Sequence, residues 1–188
     1  MMTFEEQKKK SAKPMLWISM ISMAMIFAGL TSAFVVRKAE GNWLEFDYPI
    51  WFYLSTFFIL ASSFCMHWAK KSVQANNLES AKKGFNYTII LGLLFALSQY
   101  LTWHMLYKNE VYFTGPGSNA SGSFLYVLML VHILHLAGGL VALIVTRYKA
   151  LKGLYTSENT LGVELCAIFW HFLDILWIYL FLFLLFNH

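Results

Sequence analysis

Residues 161–186 read LGVELCAIFWHFLDILWIYLFLFLLF, an apolar run broken by two carboxylates and an imidazole. The run exceeds the roughly 20 residues a helix needs to cross the hydrocarbon core of a bilayer. Glu164, His171 and Asp174 are costly in that setting. An ionisable group at membrane depth faces the protein interior or a cavity, and it needs a partner. With a step of about 100° per residue, Glu164 and His171 fall nearly in line and Asp174 lies about 60° around from His171. Trp170 and Trp177 occupy a neighbouring strip. The apolar run sets the fold, and the function depends on what the polar groups meet.

Four more apolar stretches precede it, at about 15–36, 50–69, 85–107 and 124–146, none containing Asp, Glu, Lys or Arg. The 188-residue chain is 59% hydrophobic and 18% aromatic but only 13% charged, and its mean hydropathy is +0.55. That is outside the range of a soluble globular domain. The prediction is an all-α integral membrane bundle of five transmembrane helices. It forms one membrane domain over residues 1–188, with residues 1–13 as a polar tail.

Basic residues set the orientation. Lys8, Lys9, Lys10 and Lys13 precede the first span, and Lys70, Lys71, Lys82 and Lys83 lie between the second and third. Arg147, Lys149 and Lys152 lie between the fourth and fifth, whereas the opposite side holds Arg37, Lys38 and Lys108. The positive-inside rule therefore puts the N-terminus in the cytoplasm and the C-terminus outside. The net charge of +4 is this topological bias and gives no sign of nucleic-acid binding.

The polar N-terminus predicts a retained first helix, not a cleaved signal. Cys65 and Cys166 fall inside spans without CxxC or haem-attachment spacing and read as small buried hydrophobes. Trp43, Tyr48 and Trp51 suit an aromatic belt at the membrane interface. The longest irregular piece, 108–123, is marked as turns by Gly115-Pro116-Gly117 and Ser121-Gly122. Asn119-Ala120-Ser121 matches a glycosylation triplet of a kind common by chance. Repeats, a nucleotide loop and an extramembrane domain are not visible, so any chemistry sits within or against the bundle.

Two other spans carry polar groups. His132 and His135 share a face of the fourth, followed by the small-residue patch Gly138, Gly139 and Ala142, which admits a close helix neighbour. On the third, Gln99 and Trp103 are one turn apart, with His104 adjacent. Histidines on two helices suggest a metal or haem site, but carboxylates are few and His104 sits near the membrane surface. Glu164, His171 and Asp174 suggest a proton relay, but the other spans carry no carboxylate to continue it. The preferred reading is interhelical glue, in which Glu164, His171 and Asp174 bond to His132, His135 or Gln99 and fix helix register. His67 reads as interfacial and His188 as terminal. The methionines Met15, Met20, Met23 and Met25 read as packing.

These residues also carry a family likeness. The string Trp170-His171-Phe172-Leu173-Asp174-Ile175-Leu176-Trp177, with Glu164 before it, resembles the final helix of subunit III of haem-copper terminal oxidases. His132-Ile133-Leu134-His135 with Gly138 and Gly139 resembles that family's preceding helix, and Ser121-Gly122 matches its Ser-Gly just upstream. Gln99 and Trp103 resemble its Gln-x-x-Glu-Trp pattern, and Phe27-Ala28-Gly29-Leu30 the end of its first helix. Two positions depart from the pattern: Met23 follows Ser22 where the family often has a glutamate, and Thr102 stands where its pattern has another.

The resemblance implies the short five-helix form of an accessory, non-catalytic subunit in the bacterial cytoplasmic (inner) membrane. It implies no haem, copper or other metal on this chain, those being held by partner subunits. It implies packing against catalytic subunit I and other oxidase subunits, support of stability and proton uptake, and possible entry into a larger respiratory supercomplex. Phospholipids are expected in a cleft between the first two helices and the remaining three. The alternative is a membrane cytochrome b-type haem anchor using His132 or His135 with His171.

Overall fold

The computed structural model describes residues 4–41, 43–44, 47–155 and 160–187, with side chains from Lys10 onward. His188 lies outside the described residues. Five helices account for nearly all of them: α1 (Phe4–Ala39), α2 (Ile50–Gln74), α3 (Leu78–Lys108), α4 (Ala120–Leu151) and α5 (Leu161–Phe186). Each is long and apolar enough to cross a membrane, and the described residues contain no strand.

Helix α1 begins well before the apolar stretch and runs through Pro14. Its leading segment is rich in Glu, Gln and Lys, strong helix formers, so the helix extends through residues expected as a tail. Helix α3 starts where Asn77 Oδ1 accepts from the Ser80 amide at 3.0 Å, and α4 where Asn119 Oδ1 accepts from the Ser121 amide at 3.1 Å. Each side chain satisfies one of the amides that a helix start leaves unpaired. Asn119 of the glycosylation triplet is thus a helix cap.

Connection length decides who packs with whom. Between α2 and α3 only Ala75, Asn76 and Asn77 intervene, with Asn76 in the left-handed region at φ 54°. So short a link makes antiparallel neighbours, and the two backbones close in where a Cβ on Gly84 would meet Ala69 Cβ at 2.8 Å. Helix α3 then packs on α4, and α5 packs on α2, α4 and α1. Helix α1 lies against α5 and α4, not paired with α2.

The first two spans therefore do not stand together apart from the other three, and the described residues form no cleft between those groups. The tight link binds α2 to α3, while the longer 40–49 connection lets α1 cross to the far side of α5. The result is an outward strip of α5 flanked by α1 on one side and α2 on the other. The core is aromatic and aliphatic, with Phe27, Phe52, Phe95, Trp170 and Trp177 fully buried.

Candidate functional site

Helix α5 is the hub, and its polar side chains are arranged by facing helix. Toward α2, Trp170 Nε1 donates to Ser62 Oγ at 3.0 Å and Trp177 Nε1 donates to Thr56 Oγ1 at 3.0 Å. His171 Nδ1 shares a 2.7 Å hydrogen bond with Ser63 Oγ. Later residues of α5 meet earlier residues of α2, as antiparallel helices require. Asp174 is buried; its Oδ2 lies 3.7 Å from His171 Nδ1 on the same helix, and neither carboxyl oxygen has a hydrogen-bond partner among the described residues. Ser63, His171 and Asp174 thus form a compact polar group at the α2–α5 seam.

Toward α1 the register is parallel. Lys13 Nζ pairs with Glu164 Oε2 at 2.8 Å, and Thr160 Oγ1 donates to Glu164 Oε1 at 2.9 Å. Farther along, Thr31 Oγ1 and Tyr179 OH share a 2.9 Å bond across 148 positions of sequence. Lys38 Nζ donates to the Asn187 carbonyl at 3.0 Å across 149. The near-constant separation means that α1 and α5 run side by side without slippage. Outside the spans, burial raises the Tyr48 and Tyr155 hydroxyls above the usual phenol range, and Tyr48 donates to the Leu184 carbonyl at 3.3 Å.

The third and fourth helices behave differently. Both nitrogens of His132 and both amide atoms of Gln99 are buried without a hydrogen-bond partner, as is Trp103 Nε1. His132 is enclosed by rings, with Trp177 at 5.2 Å, Phe95 at 5.7 Å and Phe27 at 6.3 Å between centroids. His135 Nδ1 sits 2.7 Å from the Val131 carbonyl one turn back on its own helix. Near the end of these helices, Arg147 Nε donates to Asn86 Oδ1 at 2.6 Å, linking α4 to α3.

The expected cross-helix bonds from Glu164, His171 and Asp174 to His132, His135 or Gln99 are therefore not the ones observed. Glu164 reaches α1, and His171 reaches α2. The partners that sequence reading missed are the small hydroxyls Thr56, Ser62, Ser63 and Thr31. The two glycines also separate. A Cβ on Gly139 would meet Leu173 Cδ1 at 2.9 Å, whereas Gly138 has nothing within 4 Å and no part in that packing. Trp170 instead meets Gly92 of α3, where a Cβ would lie 3.0 Å from its ring. Thr102, in the place of a family carboxylate, donates to the Ser98 carbonyl at 2.9 Å.

The described residues contain no group of three or more His, Cys, Asp or Glu able to hold a metal ion. Cys65 and Cys166 are free thiols. The haem-anchor alternative gains nothing from the geometry: His132 is enclosed by the rings of Trp177, Phe95 and Phe27, His135 Nδ1 is held by the Val131 carbonyl and His171 Nδ1 by Ser63. The polar groups of α5 make contacts between helices.

A family profile described as cytochrome c oxidase subunit III matches residues 45–187. A probable cytochrome c oxidase subunit 3 of Nocardia farcinica is 28% identical over 182 residues, covering 91% of this chain and 84% of that protein. The cytochrome c oxidase subunit 3 of Synechocystis is 27% identical over 172 residues, covering 87% of this chain and 70% of its own length. That of Pelomedusa subrufa is 34% identical over 137 residues, covering 73% of this chain and 49% of its own.

Proposed function

The chain belongs to the cytochrome c oxidase subunit III family, an accessory membrane subunit without a redox centre in a complex with other oxidase subunits, and on that premise we propose what it does there. It packs against the haem- and copper-bearing subunit I in a bacterial inner membrane, with its N-terminus in the cytoplasm. It stabilises that subunit and supports its proton uptake, and a larger respiratory assembly can incorporate it.

The observation that carries this reading is the allocation of polar groups on α5. Trp170, Trp177, Glu164 and Tyr179 each bond to a neighbouring helix, so the costly residues of the decisive stretch hold the bundle in shape. Glu164, His171 and Asp174 act in this reading as structural residues that keep α1 and α2 in place. Phospholipid fits the groove of about 380 Å3 between α1 and α5, where Ala24 and Ala28 face Phe172 and Tyr179.

The test is spectroscopic. The complex is purified through a tag on this chain, its reduced-minus-oxidised spectrum recorded, and the partners then stripped. Haem bands and oxygen consumption leave with the partners if the reading holds. Haem that remains with this chain overturns it.

A further inference from the structure

The outward faces of the bundle differ in what they offer at mid-membrane depth. Helix α3 shows Ile90, Leu93 and Leu97, and α4 shows Leu130, Leu134 and Val141, all exposed and all apolar. Between α2 and α5, by contrast, lies a groove of about 430 Å3 lined by Leu60, Ser63, Phe64, His67 and His171. The His171 side chain there is 31% exposed. Phe64 and Leu60 form an apolar rim, exposed by 79% and 41%.

Depth decides which partner can use this groove. His171 lies ten residues from the Leu161 end of α5, about 15 Å along the helix axis. That is near the middle of a hydrocarbon core about 30 Å thick. Its Nδ1 is engaged by Ser63 at 2.7 Å, with Asp174 Oδ2 3.7 Å away. Nε2 is left as the ring atom that the described residues do not engage. A phospholipid cannot meet it, because acyl chains carry no hydrogen-bonding group at this depth and headgroups sit at the surface. A side chain on a transmembrane helix can.

We propose that the α2–α5 groove is the seat for a transmembrane helix of a neighbouring oxidase subunit. That helix presents a hydroxyl or amide to His171 and apolar side chains to Leu60 and Phe64. The proposal rests on the reading of the chain as an oxidase subunit, and it locates the surface that the subunit uses. His67, one turn from Ser63 along α2, extends the polar line toward the membrane surface.

The test uses the whole complex, purified through a tag on this chain, with a benzophenone side chain installed at position 64 or, as a control, at position 141. Position 64 should crosslink to a second oxidase subunit and position 141 to lipid. Lipid or a second copy of this chain captured at position 64 overturns the seat, as does equal capture of the subunit at position 141.

In parallel, His171→Leu should lower the partner retained through detergent washing about fivefold, the loss of one buried hydrogen bond. His171→Gln, whose amide still forms hydrogen bonds, should recover part of that retention. Full retention in His171→Leu counts against the proposal. If no haem-bearing subunit accompanies the unsubstituted chain, the subunit reading itself fails, an outcome separate from every crosslinking result.

Discussion

Along the α5–α2 seam, Trp170, His171 and Trp177 each find a hydroxyl at 2.7 to 3.0 Å, while the buried Gln99 of α3 and His132 of α4 find none, a state shared on α5 by Asp174. Trp177 belongs to both regions. Its indole N–H goes to Thr56 on α2, and its ring packs on His132 and Phe95. The seam is specified by direction, because a hydrogen bond fixes one helix's position along another. The interior is specified by shape, through rings filling space around an imidazole that bonds to nothing. Apolar side chains gain little by leaving lipid for protein, so close packing and a few hydrogen bonds must carry the specificity of a membrane bundle.

The comparison can be broken in several places. Trp170→Ala removes both the Ser62 bond and the packing on Gly92, and should cost about 3–5 kcal/mol in a denaturant titration of the purified chain in detergent. Gly139→Val drives a side chain into Leu173 and should cost about 1–3 kcal/mol, whereas Gly138→Val should unfold with the parent. Equal effects at the two glycines would show that the contact on Leu173 does not set the helix spacing.

Smaller effects sharpen the contrast between the regions. Ser62→Ala leaves the Trp170 N–H unmet and should cost about 1–2 kcal/mol. His132→Phe keeps the ring and removes two unpartnered nitrogens, so stability should stay within about 0.5 kcal/mol of the parent or rise. A His132→Phe cost larger than that of Ser62→Ala would reverse the assignment of roles. The smallest effect belongs to the half-exposed Lys13–Glu164 pair: Lys13→Ala should cost about 0.5 kcal/mol, and less at high salt. An unchanged cost in high salt would mean that the pair is better shielded than its exposure indicates.

The five spans were legible because crossing a bilayer demands a long apolar run, and each of these runs stands out against the short charged connections. The importance of residues 164–177 was also legible, since ionisable groups at that depth need partners. The partners were not. Which helix faces which depends on connection length and three-dimensional packing, so His132 and Gln99 looked as eligible as Ser62. A usable signal existed on α2, where Ser62 and Ser63 lie about two turns from Thr56, the interval that separates Trp170 and His171 from Trp177 on α5. Hydroxyls repeating every two turns opposite polar rings repeating every two turns mark two helices that face each other. The likeness of family motifs pointed to the complex, yet it did not place α1 on the far side of α5 from α2.

The parallel clasp of α1 by α5 also has a history in time. Thr31 meets Tyr179 across 148 positions of chain, so a helix made early is fastened by one made much later. At 5–20 residues per second, α1 spends on the order of ten seconds in the membrane before its fastener exists. The α2–α3 hairpin, joined by three residues, closes as soon as it is made. Assembly of these five helices therefore begins with the α2–α3 hairpin and ends when α5 fastens α1, and a chain stopped short of α5 leaves α1 stranded.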